Sequence, residues 1–505
     1  MNSERILCPG LEDRIMSAQE AASFITSGMT VGMSGFSTSN PKEIPLEMIK
    51  HANNLSIIQG AGLGTGMLDS IIRSGSVSRY AAFQWGQDIR RAINNGSVAF
   101  TDVHLGQLSD KIRSGFFGKI DFAIIQCCKI DENGGVVPAL SAGISNVLIE
   151  QAEKVLLELN LSVPAETEVM FDFCKNNHRP LSGVLDRTGE TSVRCDPNKI
   201  AGIVITNNPE EVRTFRDTNA LYQDIAGHIV RLLNSEIGKN RFPRDFTMQV
   251  GFGGVANAVL QGLSDGGFKD LKMYTEVLSD GAFDFVTSGL VSEASTTTLD
   301  LSPKCLETFI GNIDFYRRHI VIRPLEISNG VTQIASMGLV AMNTAVEADI
   351  YGNVNSTNAI GTRMLNGIGG SNDFCRSAKL SIFLTPSTAK DGDISSIVPM
   401  VSHVDNTEHD VDIIVTEYGY ADLRGKSPKE RAAEIIDKCA HPDYRQPLRD
   451  YFNGAVALCG PCQTPHDLSK ALSWHQRFLE TGTMKETRAS VRQLRGSLQT
   501  KYKVK

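Results

Sequence analysis

Six short apolar runs punctuate the first 207 residues: MTVGMSGF (29–36), LSIIQGAGLGTG (55–66), SVAF (97–100), DFAIIQCC (121–128), KVLLELN (154–160) and KIAGIVITN (199–207). Each has the length of a strand, and helix-length segments separate them. Near-continuous apolar strands alternating with helices are the mark of a parallel sheet covered on both faces. Ser17-x-x-Glu20 forms a capping box that predicts a helix through Ile25, and Gly28 stops it.

The pattern then starts again. TMQVGFGG (247–254) echoes TVGMSGF, LKMYT (271–275) lies 216 positions after LSIIQ (55–59), and Gly251-Phe252 lies 216 after Gly35-Phe36. DIYGNVN (349–355) is a looser echo of DENGGVV (131–137), at an offset near 218. Self-similarity at nearly one offset predicts two copies of one α/β fold. The polar stretch NNPEEVRTFRD (207–217) marks the boundary, giving domains 1–215 and 216–505, and a long helical pattern follows it to about Ile237.

A chain of 505 residues, 41% hydrophobic and 21% charged, has room for two or more ordinary globular domains. Its net charge of −7 argues against a general nucleic-acid binder. Apolar runs such as 122–128 are far too short to span a membrane, and MNSERILCPGLEDR lacks the layout of a secretion signal, so the expectation is a cytoplasmic protein. Ten cysteines in a chain this long are not a disulfide scaffold, and most read as buried thiols.

The duplication isolates one carboxylate. Glu276 follows the strand LKMYT, and the corresponding position of the first half is Gly60. If the halves share a fold, the fold does not require an acid there, and ligands of open α/β sheets bind beyond the carboxyl ends of strands. Glu417, in DIIVTEYGYADLRG (412–425), has the same local pattern and rivals it. The glycine clusters GFGGV (251–255) and NGIGGS (366–371) suit close backbone approach to a ligand, or simply tight turns; neither they nor GAGLGTG (60–66) has GxGxxG spacing. Cys459-Gly-Pro-Cys462 has redox spacing, but nothing else reads as a thioredoxin domain, and no further ligands mark a zinc site. His403 and His409 read as structural or surface residues.

Eight stretches in order carry a family resemblance: YTEV (274–277), EISN (326–329), EADIYGNVNST (347–357), NGIGGSNDF (366–374), LSIFLTPSTAK (380–390), VTEYGYADLRG (415–425), CAHPDYR (439–445) and SWHQRF (473–478). The chain resembles the class I coenzyme A transferases of the acetyl-CoA hydrolase/transferase group over nearly its whole length. The resemblance implies two related α/β domains with the active site between them, and a homodimer. It implies Glu276 as a nucleophile that becomes a glutamyl-CoA thioester, Asn329 as an amide supporting the reacting carbonyl, and Gly370 as an oxyanion-hole N–H that also contacts CoA. Gly251, Phe252, Gly253, Gly254, Val255, Val346, Asn366 and Lys390 match CoA-contacting positions. Relatives often read GVGN where this chain has Gly251-Phe252-Gly253-Gly254, and the bulkier Phe252 bears on acyl specificity. The implied substrates are an acyl-CoA and short carboxylates such as acetate and succinate, with CoA as substrate and covalent intermediate and no resident cofactor or metal. Acetyl-CoA hydrolysis is the alternative within enzymes. A non-catalytic CoA-binding or thiol-redox module is the alternative outside them.

Overall fold

The computed structural model describes residues 4–63, 66–174, 179–210, 219–251 and 253–486. The boundary expected at 215/216 therefore lies outside the described residues, as does Phe252.

The first sheet is built from β1 (Thr30–Phe36), β2 (Leu55–Leu63), β3 (Val77–Trp85), β4 (Ala99–Thr101), β5 (Phe122–Ile130), β6 (Val136–Pro138), β7 (Lys154–Asn160) and β8 (Ile200–Thr206). Its order is β4-β3-β2-β1-β5-β7-β8, with β6 pairing antiparallel on β5 and every other pairing parallel. The hydrophobic pattern does not predict β3, because Arg79 and Gln84 break its apolar run. Gln84 is nevertheless fully buried, its amide oxygen accepting from Gly86 N at 3.2 Å. The helix opened by the Ser17/Glu20 capping box is present but shorter than expected, Ala18–Ala22.

The second sheet is built from β9 (Thr247–Val250), β10 (Leu271–Tyr274), β11 (Val291–Thr296), β12 (Ile320–Ile322), β13 (Val340–Thr344), β14 (Leu380–Leu384), β15 (Ile413–Thr416) and β16 (Gly419–Asp422). Its order is β12-β11-β10-β9-β13-β14-β15-β16, all parallel except the β15–β16 hairpin. The two sheets thus share one strand order, out from a first strand in one direction and then in the other. The starts of β9, β10 and β13 follow those of β1, β2 and β5 by 217, 216 and 218 residues (247 − 30, 271 − 55, 340 − 122). In each sheet the switch point lies beside the first strand, and that is where the carboxyl ends of neighbouring strands diverge to leave a crevice.

Strands buried on both faces hold the halves together. β14 (LSIFL) is buried at every position, each large apolar side chain of this kind contributing about 1.5–3 kcal/mol relative to exposure. One buried apolar cluster runs from Ile6 through Ile125, Leu157, Phe246 and Met342 to Val415, so both sheets share a core. Hydrogen bonds also join them: Ala142 N donates to Thr297 O at 3.0 Å, Leu325 N to Gly143 O at 2.8 Å, and Thr38 Oγ1 to Leu299 O at 2.9 Å. Among the described residues no helix is long and apolar enough to cross a membrane.

Candidate active site

The carboxyl ends of β9, β10 and β13 open into a cleft of about 210 Å³. Phe83 and Trp85, at the end of β3, close it from the first half; Gly251, Glu276, Val346 and Asn366 line it from the second.

Glu276 is held by its backbone. β10 ends at Tyr274, but Thr275 N still donates to Ser295 O at 2.9 Å. The Glu276 carbonyl accepts from Thr297 N at 3.1 Å and from Thr296 Oγ1 at 2.9 Å. Two neighbours of the ladder thus fix the main chain at the point where it leaves the sheet, and the side chain turns into the cleft. Tyr274 Oη donates to Ile327 O at 2.6 Å, which ties the strand to the turn carrying Asn329.

Asn329 is fully buried. Its Oδ1 accepts from Ser328 Oγ at 2.9 Å, so its Nδ2 faces two carboxylates: Glu276 Oε2 at 2.7 Å and Asp373 Oδ2 at 3.3 Å. Asp373 lies in the short helix Ser371–Cys375 and also accepts from Gly106 N at 2.8 Å, a donor from the first half. Burial pushes the Glu276 carboxyl up to about 7; the charge of Asp373 adds to the rise and the Asn329 hydrogen bond opposes it. Burial likewise pushes Asp373 up to about 7, against the N–H of Gly106 and the amide of Asn329. A partly desolvated carboxylate is a stronger nucleophile than a hydrated one, and this one faces the cleft.

Gly370 is the N-cap of helix Ser371–Cys375 and packs directly on the pair, for a Cβ at this position would overlap both Glu276 Oε2 and Asn329 Nδ2. Of the residues expected at the site, Glu276, Gly251, Val346, Asn366 and Gly370 share the cleft, and Asn329 lies beneath Glu276. Asn366 Nδ2 bonds Ser356 O at 3.2 Å and Gly367 O at 2.9 Å, which shapes the glycine loop. Gly253, Gly254 and Val255 form the start of helix Gly254–Asp265, where Val255 is buried, and they are not among the cleft's lining residues. Lys390 is not either; it sits in the turn between the short strands Thr388–Ala389 and Ile394–Ser395, with Nζ 5.0 Å from the Phe478 ring centre.

Glu417 follows β15 as its local pattern predicts, but it points elsewhere: its carboxylate accepts from Ser387 N at 2.9 Å and Ser387 Oγ at 2.5 Å. AVAL (455–458), ahead of the CxxC, is the last turn of helix Pro442–Cys459 rather than a strand, so Cys459 sits at a helix C-terminus and not at the strand-to-helix turn that a thioredoxin-like site needs. Its Sγ donates to His466 O at 3.3 Å. Seven of the ten cysteines are buried and all ten are free thiols. Among the described residues no group of three or more His, Cys, Asp or Glu is placed to hold a metal.

Asp373 and Gly106 are the participants that sequence reasoning missed. Asp373 lies within NGIGGSNDF, where only the glycines and asparagine suggested a role. Gly106 belongs to no motif, and only the packing of the halves brings it to Asp373.

Comparison with known proteins identifies the family. Residues 10–204 match the acetyl-CoA hydrolase/transferase N-terminal domain and residues 306–452 the C-terminal domain. The chain is 42% identical to the succinyl-CoA:acetate CoA-transferase of Clostridium kluyveri, over 96% of this chain and 93% of that protein. It is 40% identical to the acetyl-CoA hydrolase of Schizosaccharomyces pombe, over 94% and 98%. The crystal structure of RipA from Yersinia pestis shares the fold at a TM-score of 0.68 and 22% identity, over 87% of this chain and 97% of that one. With both family domains matched and near-complete coverage of such relatives, the chain belongs to the acetyl-CoA hydrolase/transferase family of enzymes.

Proposed function

We propose that the protein moves CoA between an acyl-CoA and a free short carboxylate through a thioester on Glu276. The observation that carries this reading is the Glu276 carboxylate itself, desolvated at a strand end, facing the cleft and hydrogen-bonded by a buried amide.

The chemistry follows from that placement. A Glu276 oxygen attacks the thioester carbonyl of the acyl-CoA; the C–S bond breaks, leaving an acyl-glutamyl anhydride and CoA thiolate. The thiolate attacks the glutamyl carbonyl, the anhydride C–O bond breaks, and the first carboxylate departs from an enzyme–CoA thioester. A second carboxylate attacks that thioester and the steps reverse onto it, which is ping-pong covalent catalysis. Thioester energy is conserved, so no nucleotide triphosphate is consumed. Each addition develops an oxyanion. Asn329 Nδ2, hydrogen-bonded to Glu276, and the N–H of Gly370, a residue packed on Glu276, are the donors for it, and loss of one such donor typically costs about 10²- to 10³-fold in rate. The glycine loop around Asn366, together with Gly251 and Val346, holds the thiol end of CoA. Binding along the rest of that molecule is expressed at the reacting centre.

The named relatives support acetate and succinate as the first carboxylates to try. They also support a second reading, hydrolysis, in which water takes the glutamyl-CoA thioester. The test is intact and peptide mass after incubation with acetyl-CoA, followed by borohydride reduction. A CoA-sized adduct on Glu276, removed by borohydride and absent in Glu276→Ala, is expected. Turnover without an adduct overturns the covalent path. Continued release of acetate from wild type without any carboxylate acceptor, well beyond one equivalent per active site, assigns hydrolysis instead of transfer.

A further inference from the structure

The carboxylate of Asp373 has no part in the bond changes, yet it is 4% exposed and lies one amide away from the nucleophile. A buried carboxylate is costly unless its hydrogen bonds justify it. Its Oδ2 takes two: one from Asn329 Nδ2, and one from Gly106 N in the first turn of helix Leu105–Arg113, where backbone donors lack intrahelical partners and the dipole favours negative charge. The approach is close. A Cβ on Gly106 would overlap Asn329 O and lie 3.1 Å from Asp373 Oδ1.

We propose that Asp373 is a positioning residue, clamping one N–H of the Asn329 amide so that the other stays aimed at Glu276 while that side chain passes from carboxylate to anhydride to thioester. This rests on Glu276 being the nucleophile. An amide carries two N–H groups in one plane. With Oδ1 held by Ser328 Oγ and one N–H held by Asp373, the remaining N–H has a single direction, toward Glu276 Oε2. The clamp is anchored across the molecule, because its far end is a backbone N–H of the first half. The negative charge of Asp373 has a second effect. It disfavours ionised Glu276, and that repulsion is relieved when acylation removes the Glu276 charge. The charged groups facing the pair are the two carboxylates themselves and Arg376, which favours ionised Asp373.

Asp373→Ala removes the clamp and the charge, whereas Asp373→Asn keeps an acceptor oxygen and removes only the charge. For the full-length enzyme with acetyl-CoA and a carboxylate acceptor, Asp373→Ala is expected to lower kcat by about 10- to 10²-fold with KM changed by no more than a few fold, as for loss of a transition-state contact. Asp373→Asn is expected to recover most of kcat and to move the acid limb of kcat/KM to lower pH, since a like charge has gone. Wild-type kcat in Asp373→Ala overturns the proposal. So does an Asp373→Asn enzyme with an unmoved acid limb, and that variant decides the matter if the alanine protein does not fold. Wild type is carried through the borohydride-sensitive adduct assay alongside. No wild-type adduct brings down the glutamyl-thioester reading and this inference together, whereas an adduct with indifferent Asp373 kinetics brings down this inference alone.

Discussion

Gly370 and Glu276 share a space that admits only one side chain: a Cβ on Gly370 would overlap Glu276 Oε2 and also Asn329 Nδ2. Any larger residue at 370 must push the nucleophile off its amide. Gly370→Ala is therefore expected to fold with an unchanged circular dichroism spectrum and to lose about 10²- to 10³-fold in kcat, comparable to removing an oxyanion donor. Steady-state kinetics on the purified variant checks this; activity within a few fold of wild type shows that Glu276 has room to spare.

Glu276 is kept at a cost to stability. Its carboxyl is pushed up to about 7 in the folded protein from an ordinary value near 4.5. Below the unfolded value both states are protonated and nothing is lost; as pH rises through the folded value the full penalty for the buried charge applies. Glu276→Gln keeps an acceptor for Asn329 and removes the charge. Its melting temperature should exceed that of wild type at pH 8, and the difference should vanish near pH 4.5. Equal melting curves at pH 8 would show that the folded protein accommodates the charge without strain.

Glu417 makes the opposite prediction. Its carboxylate closes the β15–β16 turn onto Ser387, whose N–H is otherwise left without that acceptor. Glu417→Ala is expected to cost about 1–3 kcal/mol in urea unfolding, the usual range for an orphaned buried donor, and to leave kcat unchanged. A CoA adduct on Glu417 in the mass experiment contradicts the assignment.

Arg323 and Asp172 form a fully buried ion pair that joins the end of β12 to the first half, Nε to Oδ2 at 3.2 Å. The guanidinium also donates to Val184 O at 2.9 Å, to Ser295 Oγ at 2.6 Å and to Asp186 O. Arg323→Ala leaves an unpaired buried carboxylate and should destabilise by about 3–5 kcal/mol. Denaturant midpoints measure it. A loss below about 1 kcal/mol would place Asp172 in contact with water.

Much of the fold was legible because its strands are buried on both faces and read as unbroken apolar runs, and because the second half repeats the first at nearly one spacing. β3 was not, since Arg79 and Gln84 interrupt its run, and the buried Gln84 has its amide oxygen satisfied by Gly86 N, a contact the sequence does not show. Glu276 stood out against Gly60 for the same reason of repetition. Glu417 was indistinguishable from it by local pattern, because a strand-end acid looks the same whether it faces a cleft or a serine on the next loop.

The amino-acid order by itself determined the alternation of strands and helices, the duplicated halves and the family, since each depends on local periodicity and on motifs that survive in one dimension. The tertiary structure decided what surrounds the nucleophile. Asn329, Asp373 and Gly106 come from three separate segments, and their hydrogen bonds exist only where the second sheet's switch point meets the first half. Desolvation, the largest cause of the raised Glu276 carboxyl, is a property of that enclosure and of no residue in it.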